Sequence, residues 1–392
     1  MISSPPINPE RYQFFPPSYA IGRDWFESMV VDAQAKYWRF EKPDTHGPDG
    51  GPLSIDCAWF GSPRATKVYL TLSGTHGQEY FCGAAGQFQW LRSGGPSALR
   101  DDVAVCLVHA VNPFGAAHLS RTNDQLVDLN RNFRDHSTPR PPNAVFNEVA
   151  SLFALERIDD FTLYDIVTRF ETVQSEHDTA EVMTAIAGGQ DKFPTGPAYC
   201  GNKPEWEART LSGFVADQFQ DVRQVALIDW HTGLGPFGAA SPLFDHPEHS
   251  PSHERAVSWW GAPPGSDALY EGGTSPNIEG ELRAGLASIL EDMGAETVHA
   301  VVEIGTVDNR AIIPAFAIDR WLRVECSDPN SAEAVRLRTL MMERYSPSLP
   351  EWREKALKSM NCIYAATLSG LENWSIATAG EERPVTQKTT HD

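Results

Sequence analysis

Four nearly continuous apolar segments constrain the fold of this 392-residue chain more than any other feature of its sequence. They lie at Lys67–Leu72, Val103–Val111, Val225–Ile228 and Val298–Ile304. A strand that is apolar at nearly every position is buried on both faces, which is typical of parallel strands covered by helices on each side. The sequence therefore predicts an α/β fold with a mixed, mostly parallel central sheet and helices on both faces.

Three of these segments lead to residues that are suited to metal chemistry. His76 follows the first segment, His231 follows the third, and Glu303 lies near the end of the fourth. In open α/β sheets, ligands bind in the crevice at the carboxyl ends of the strands. Residues that are far apart in the sequence can therefore converge there, and we expect the active site at this edge of the sheet.

The chain is expected to form a single catalytic domain over residues 23–374, because no change in composition divides it. Residues 1–22 are rich in Pro and aromatic residues and are expected to form an N-terminal arm. Residues from about 140 to 220 look mainly helical and are interpreted as an insertion. The polar tail, residues 375–392, lacks periodicity and is expected to be mobile.

Helical spacing of apolar residues predicts further helices along the chain. One is expected from about Glu79 to Leu91, directly after His76. Apolar residues that recur between Leu282 and Met293 predict another, which ends at Gly294. Residues 331–371 are interpreted as two helices joined at 346–350.

The charge balance indicates which partners to expect. Lys and Arg total 32 against 52 Asp and Glu, which gives a net charge of −20. This balance opposes binding to nucleic acid or to anionic membranes, because attraction to phosphates needs clustered Lys and Arg. The sequence contains neither a signal-peptide pattern nor a long apolar run, so we expect a cytoplasmic protein. A homo-oligomer is left open.

The motif HGQE carries the first two candidate metal ligands. His76 and Glu79 are three residues apart at the entry to a helix, where they can offer zinc one nitrogen and one oxygen. The same spacing at His46–Asp49 lies in a loop rich in Pro and Gly, so the spacing alone is weak evidence. His231, in DWHTG, would complete a His₂Glu set that leaves one zinc position open for water. The alternative is a set of structural roles, namely a helix cap and core histidines.

A second group of polar residues surrounds the run VDLNRNF. Asn130 and Arg131 offer amide and guanidinium donors that match a planar carboxylate. Asp128 can accept the outer N–H of His76 and fix its tautomer. The alternative is a polar loop that is capped by its own Asp and Asn side chains.

Glu303 stands in the apolar run VVEIGT, where a carboxylate is costly to bury without a partner or a function. Partial desolvation would raise its pKa, as a general base that acts on a metal-bound water requires. Three histidines at His246, His249 and His253 could bind a second metal, but a polar loop flanked by Pro is the favoured interpretation.

The motifs GTHGQE, VDLNRNF and DWHTG, followed by a late Glu at a strand end, together resemble the zinc carboxypeptidase superfamily over about residues 65–310. They are most similar to a branch whose members carry SGTHGxE, VDLNRNF and DxHTGLG, and the superfamily includes aspartoacylase-like deacylases. The resemblance implies one zinc ion per chain with three ligands: His76, Glu79 and His231.

The same resemblance implies roles for the other motif residues. Glu303 would act as general base and acid, and Arg121 would polarise the substrate carbonyl. Asn130 and Arg131 would hold a carboxylate of the substrate. Digestive carboxypeptidases carry a substrate-capping tyrosine before the catalytic Glu, and here the nearest candidate is Tyr270.

The sequence therefore predicts a zinc-dependent hydrolase that cleaves an amide or peptide bond in a small molecule or short peptide with a free carboxylate. The alternative is an aspartoacylase-like deacylase that acts on N-acyl amino acids. A further alternative is a catalytically silent binding protein that keeps the zinc fold for recognition.

Overall fold

The computed structural model describes residues 14–264, 276–306 and 312–375. Seven strands within these residues form one sheet. They are β1 (Lys36–His46), β2 (Pro52–Gly61), β3 (Lys67–Ser73), β4 (Val103–His109), β5 (Gln224–Gly233), β6 (Ala240–Leu243) and β7 (Glu296–Gly305). Their order across the sheet is β1-β2-β4-β3-β5-β7-β6.

The sheet is mixed, as predicted. The strands β4, β3, β5 and β7 pair in parallel at its centre. The strands β1 and β2 are added antiparallel at one edge, and β6 is added antiparallel at the other. Three of the six strand pairings are therefore parallel, which is a smaller share than we expected. The expectation was too high because the sequence predicts only the four central strands, and all of these pair in parallel.

The three additional strands escape prediction because they lack a continuous apolar run. Most residues of β1 are exposed or half-buried, and the strand contains Pro43. Its inner residues Trp38 and Phe40 pack only partly against the core. The strand β6 has four residues, of which two are buried. Edge strands carry weaker apolar patterns than central ones, since one side of each lacks a neighbouring strand.

Twelve α-helices lie within the described residues. They are α1 (Tyr19–Asp32), α2 (Tyr80–Arg92), α3 (Pro113–His118), α4 (Phe146–Phe153), α5 (Asp160–Glu176), α6 (Thr179–Ala187), α7 (Trp206–Gln218), α8 (Pro251–Trp260), α9 (Leu282–Asp292), α10 (Ile312–Val324), α11 (Ala332–Tyr345) and α12 (Pro350–Asn373). None of them is both long and apolar enough to cross a membrane.

Helices cover both faces of the sheet, which explains the continuous apolar strands. The helices α1, α2, α8 and α12 pack with Val105 and Leu107 of β4 in one hydrophobic cluster. The helices α7 and α9 pack with Cys106 and Val108 of the same strand in another. Because successive side chains of a strand point to opposite faces, β4 needs apolar residues at every position.

The predicted helices are confirmed, with small shifts at their ends. The helix after His76 begins at Tyr80, the helix α9 is followed by Gly294 with φ of +91°, and residues 331–371 form α11 and α12. The stretch from about 140 to 220 contains four helices, α4 to α7. The strand β5 continues through the DWHTG motif, so His231 lies within the strand and not after it.

The proposed arm and tail fall largely outside the described residues. Residues 1–13 and 376–392 are not described, and neither is Tyr270. Within the arm predicted over residues 1–22, α1 begins at Tyr19, and the Ser18 side chain caps it by accepting from Ile21 N. The final part of the predicted arm is therefore the first turn of a helix.

Candidate metal centre

The HGQE motif brings His76 and Glu79 together through a tight turn. After β3 ends, a short 3₁₀ helix over Gly77–Glu79 leads into α2, and Glu79 N donates to His76 O at 3.1 Å. The turn leaves His76 Nδ1 3.0 Å from Glu79 Oε1. It needs a glycine, since a Cβ on Gly77 would lie 1.9 Å from the carbonyl carbon of Gly115 in α3.

His231 completes the cluster from the neighbouring strand. Its Nδ1 lies 3.1 Å from His76 Nδ1 and 3.1 Å from Glu79 Oε2. All three side chains are buried, with 4% or less of each residue exposed. The structure therefore brings the three predicted metal ligands to one point at the carboxyl ends of β3 and β5.

The outer nitrogen of each histidine faces its own carboxylate. His76 Nε2 is 3.1 Å from Asp128 Oδ1, which is the contact that the sequence predicts. His231 Nε2 is 2.9 Å from Asp229 Oδ2, and Asp229 also accepts from Thr75 Oγ1 at 2.7 Å. Such carboxylates fix the tautomer and ring orientation of metal-binding histidines. Both rings therefore keep Nδ1 free to face Glu79.

The donor set fits a single zinc ion. Two imidazole nitrogens and a carboxylate oxygen are a typical catalytic zinc set, and bonds of about 2.0–2.2 Å require donors that lie this close to one another. Burial raises the pKa of Glu79, but His76 and His231 outweigh that effect and lower it below its usual range. Glu79 is therefore the negatively charged member of the set.

Arg121 lies beside the cluster. Its Nε donates to Asp128 Oδ2 at 3.0 Å, and its Nη1 is 3.7 Å from Glu79 Oε1. Burial alone would raise the pKa of Asp128, but Arg121 and then His76 hold it well below the ordinary value. The guanidinium also lies over the ring of Phe316, 5.0 Å from its centroid. Arg121 thus lines the cavity that opens beside the metal cluster, and it carries a permanent positive charge.

Asn130 and Arg131 line this cavity from a 3₁₀ helix over Leu129–Arg131. Asp128 caps that helix by accepting from Asn130 N at 3.0 Å, so the capping alternative is also realised. Arg131 donates from Nε to Ala187 O at 2.5 Å and from Nη1 to Asn130 O at 2.6 Å. Arg131 therefore braces the end of α6 in addition to facing the cavity.

Glu303 stands opposite His231, because the two residues are partners in the parallel register of β5 and β7. Its Oε2 accepts from Leu234 N at 3.3 Å, and its side chain lines the cavity. Burial, and then the charge of Glu79, raise its pKa to about 7. A carboxyl group with this pKa can both accept and donate a proton near neutrality.

The cavity over these residues has a volume of about 570 Å³. It also includes residues that the sequence does not single out. Asp245, Glu281 and Arg283 form an ion-paired group on one side of it. Tyr345 also lines it, and the backbone oxygen of Tyr345 accepts from Thr232 Oγ1 at 2.6 Å. These residues come from separate elements, so no local motif marks them.

The three histidines considered as a second metal site do not converge. His246 Nε2 accepts from His299 N at 3.1 Å, and His253 Nδ1 lies 3.3 Å from His246 O. Among the described residues, the other group with metal-compatible spacing is exposed and consists of Glu148, Glu176 and His177. The HPEHSPSH segment is therefore a loop that leads into α8, where Ser250 accepts from His253 N.

The sequence matches the model of the family described as "Protein of unknown function (DUF2817)" over residues 15–359. A comparison with curated proteins gave no match.

Several solved structures are similar to the chain at low identity. Bovine thrombin-activatable fibrinolysis inhibitor, bound to tick carboxypeptidase inhibitor, is 14% identical, with a TM-score of 0.43 over 85% of this chain and 97% of that chain. Carboxypeptidase A from Helicoverpa armigera is 12% identical, with a TM-score of 0.43 over 84% and 74%. Succinylglutamate desuccinylase from Chromobacterium violaceum is 13% identical, with a TM-score of 0.35 over 78% and 77%. These likenesses are too distant to carry an activity over to this chain.

We predict that His231→Ala loses most of the zinc that the wild-type protein retains, because removing one of three ligands weakens binding to a His₂Glu site. The measurement is elemental analysis after dialysis against a weak chelator, with thermal unfolding to check the fold. His177→Ala, in the exposed Glu148 group, is the matched control and should keep about one zinc per chain. Equal zinc in wild type and His231→Ala would refute the ligand set.

Proposed function

The chain belongs to the DUF2817 family, and we propose that it is a zinc-dependent hydrolase that cleaves an amide bond in a small substrate bearing a carboxylate. One observation supports this most strongly: Glu303 lies beside the buried His76–Glu79–His231 cluster in the same cavity. A structural zinc site does not need a neighbouring carboxyl group with a raised pKa. A hydrolase does need one, because a proton must leave the attacking water.

His76, Glu79 and His231 would hold the zinc ion. When bound, zinc supplies Lewis-acid chemistry, since it makes water acidic near neutral pH and polarises a carbonyl group. Asp128 and Asp229 would keep the two imidazoles in the tautomer and orientation that binding needs. The buried position of the cluster excludes bulk water and strengthens each charge interaction.

Glu303 would move the proton. Its carboxylate would take a proton from water as the water attacks the carbonyl carbon, and then give that proton to the departing amine. The raised pKa of about 7 supports both halves of this exchange. Arg121 would donate to the carbonyl oxygen as negative charge develops there, because its guanidinium borders the cluster and stays charged.

Asn130 and Arg131 would hold the carboxylate of the substrate. The carbonyl oxygen of the Asn130 side chain is used by Leu282 N at 2.9 Å, which orients the amide group. Arg131 is only 4% exposed, and it lines the cavity. A charge held in this way binds an anion strongly, since little solvent competes for it.

The proposed hydrolase requires Glu303 as its base, whereas a catalytically silent binding protein does not. We expect Glu303→Gln to keep its zinc and its unfolding temperature but to lose about 10²–10⁴-fold in kcat, because the amide cannot accept a proton. The matched control is Glu296→Gln at the exposed start of the same strand, which should keep wild-type kcat. A Glu303→Gln variant with wild-type turnover would exclude Glu303 as the base.

The proposed carboxylate site predicts discrimination between a substrate and its methyl ester. Removing a buried charged partner typically costs about 2–5 kcal/mol, which corresponds to roughly 30-fold to several-thousand-fold in kcat/KM. Wild type should prefer the free acid by such a factor, and Arg131→Ala should lose most of the preference.

Since Arg131 also braces α6, the control must loosen the same helix end. Arg140 serves, because it donates to Gly188 O at that end and lies outside the cavity lining. Arg140→Ala should keep the preference for the free acid. Equal discrimination by wild type and Arg131→Ala would leave Arg131 a structural residue.

A further inference from the structure

The cavity has two chemically different walls. One wall is built by three helices, α5, α6 and α10, which contribute Glu171, Gln174 and a larger set of apolar side chains. The apolar side chains include Val167, Phe170, Met183, Ile186, Ile313 and Phe316. None of them has a part in the proposed proton transfer or in carboxylate binding.

This apolar wall is firmly supported. Phe170, Ile186 and Ile313 are each less than 9% exposed and belong to one hydrophobic cluster of the inserted helices. Val167 and Met183 pack against that cluster but remain half-buried, because their outer sides face the cavity. The wall is therefore a preformed surface, and it does not depend on a ligand for its shape.

A second wall is polar and ion-paired. Arg283 is 4% exposed, and it donates to Asp245 Oδ1 at 2.8 Å and to Glu281 Oε2 at 2.7 Å. This wall adjoins the proposed carboxylate site, since Leu282 N donates to Asn130 Oδ1.

The end of α6 contacts Arg131 through Ala187 O, but Phe316 of α10 places the apolar wall beside a second part of the site. Phe316 lies under the guanidinium of Arg121, the residue proposed to act on the carbonyl oxygen. The two ends of a substrate that spans the cavity would therefore meet different surroundings. Its carboxylate end would lie at the polar wall, and the group beyond the carbonyl would lie at the apolar wall.

We infer that the substrate is an N-acyl amino acid whose acyl group is bulky and apolar, namely a medium-length alkyl chain or an aromatic ring. The inference rests on the proposed function and adds the substrate class. A volume of about 570 Å³ falls in the range of about 300–1,000 Å³ that encloses a drug-sized ligand, so a short acyl group would leave apolar surface uncovered. Each methylene buried on such a surface raises kcat/KM by roughly three- to fourfold.

The competing interpretation is that the apolar wall is only the underside of the helical core. In that case the length of the acyl chain would not affect the reaction. Specificity would then come from the amino-acid half of the substrate, at the polar wall. The two interpretations predict opposite results for two series of substrates.

The experiment uses the zinc-loaded full chain. The first series is N-acyl glycines with acetyl, butanoyl, hexanoyl and octanoyl groups, and the second is N-acetyl amino acids with increasing side-chain length. The readout is kcat/KM for release of the free amino acid. Binding of the first series to Glu303→Gln, measured by calorimetry, reports on the wall without turnover.

We expect kcat/KM to rise by roughly three- to fourfold per methylene in the first series and little in the second. Met183→Ala should lower kcat/KM for octanoyl-glycine by about tenfold and leave acetyl-glycine nearly unchanged. Val173→Ala is the control, since Val173 belongs to the same helical cluster but does not line the cavity. It should keep the full dependence on chain length.

Two failures can be told apart. Hydrolysis that is independent of acyl length, or that follows the amino-acid side chain, would overturn this inference and leave the proposed function standing. Tighter binding with longer acyl chains, without turnover of any substrate in either series, would support the wall as a binding surface and contradict the proposed hydrolase. Binding that is independent of acyl length would overturn the inference even without turnover.

Discussion

The close approach of two imidazoles and a carboxylate inside the protein is the constraint on which the rest of the site depends. Three donor groups lie about 3 Å apart with almost no access to solvent, and polar groups in such a position need partners. Asp128 and Asp229 lie within about 3 Å of the outer nitrogens of the rings, and Arg121 compensates the charge of Asp128. The inner sides face one another, and the zinc ion proposed here would be a partner for all three.

The parallel register of the central strands sets the chemistry beside this cluster. His231 and Glu303 are direct partners in β5 and β7, so both side chains point to the same side of the sheet. A slip of one residue would turn Glu303 to the opposite face, because side chains alternate along a strand. Apolar residues of β5 and β7 are buried together in one hydrophobic cluster on the other face of the sheet, which fixes the register and so holds Glu303 in position.

The central strands and the candidate metal ligands could be predicted from the sequence. The strands are apolar at nearly every position, and the ligands lie at or just beyond their predicted ends. The edge strand β1 could not be predicted, since most of its residues are exposed or half-buried, and neither could β2, whose buried apolar run is interrupted by Ser54 and Asp56. Asp229 lies in the DWHTG motif, but its contact with His231 could not be predicted. The contact arises because β5 continues through the motif, so residues two apart point to the same face, whereas the sequence predicts that the strand ends at Ile228. The apolar wall of α5, α6 and α10 requires knowledge of how distant helices pack, which no local pattern contains.

The central claim is that one zinc ion binds between His76, Glu79 and His231, and anomalous diffraction at the zinc edge tests it most directly. Crystals of the zinc-loaded protein should give one strong peak at bonding distance, about 2.0–2.2 Å, from both Nδ1 atoms and from a Glu79 oxygen. The absence of a peak at this cluster would contradict the claim. So would a strong peak confined to the exposed group of Glu148, Glu176 and His177.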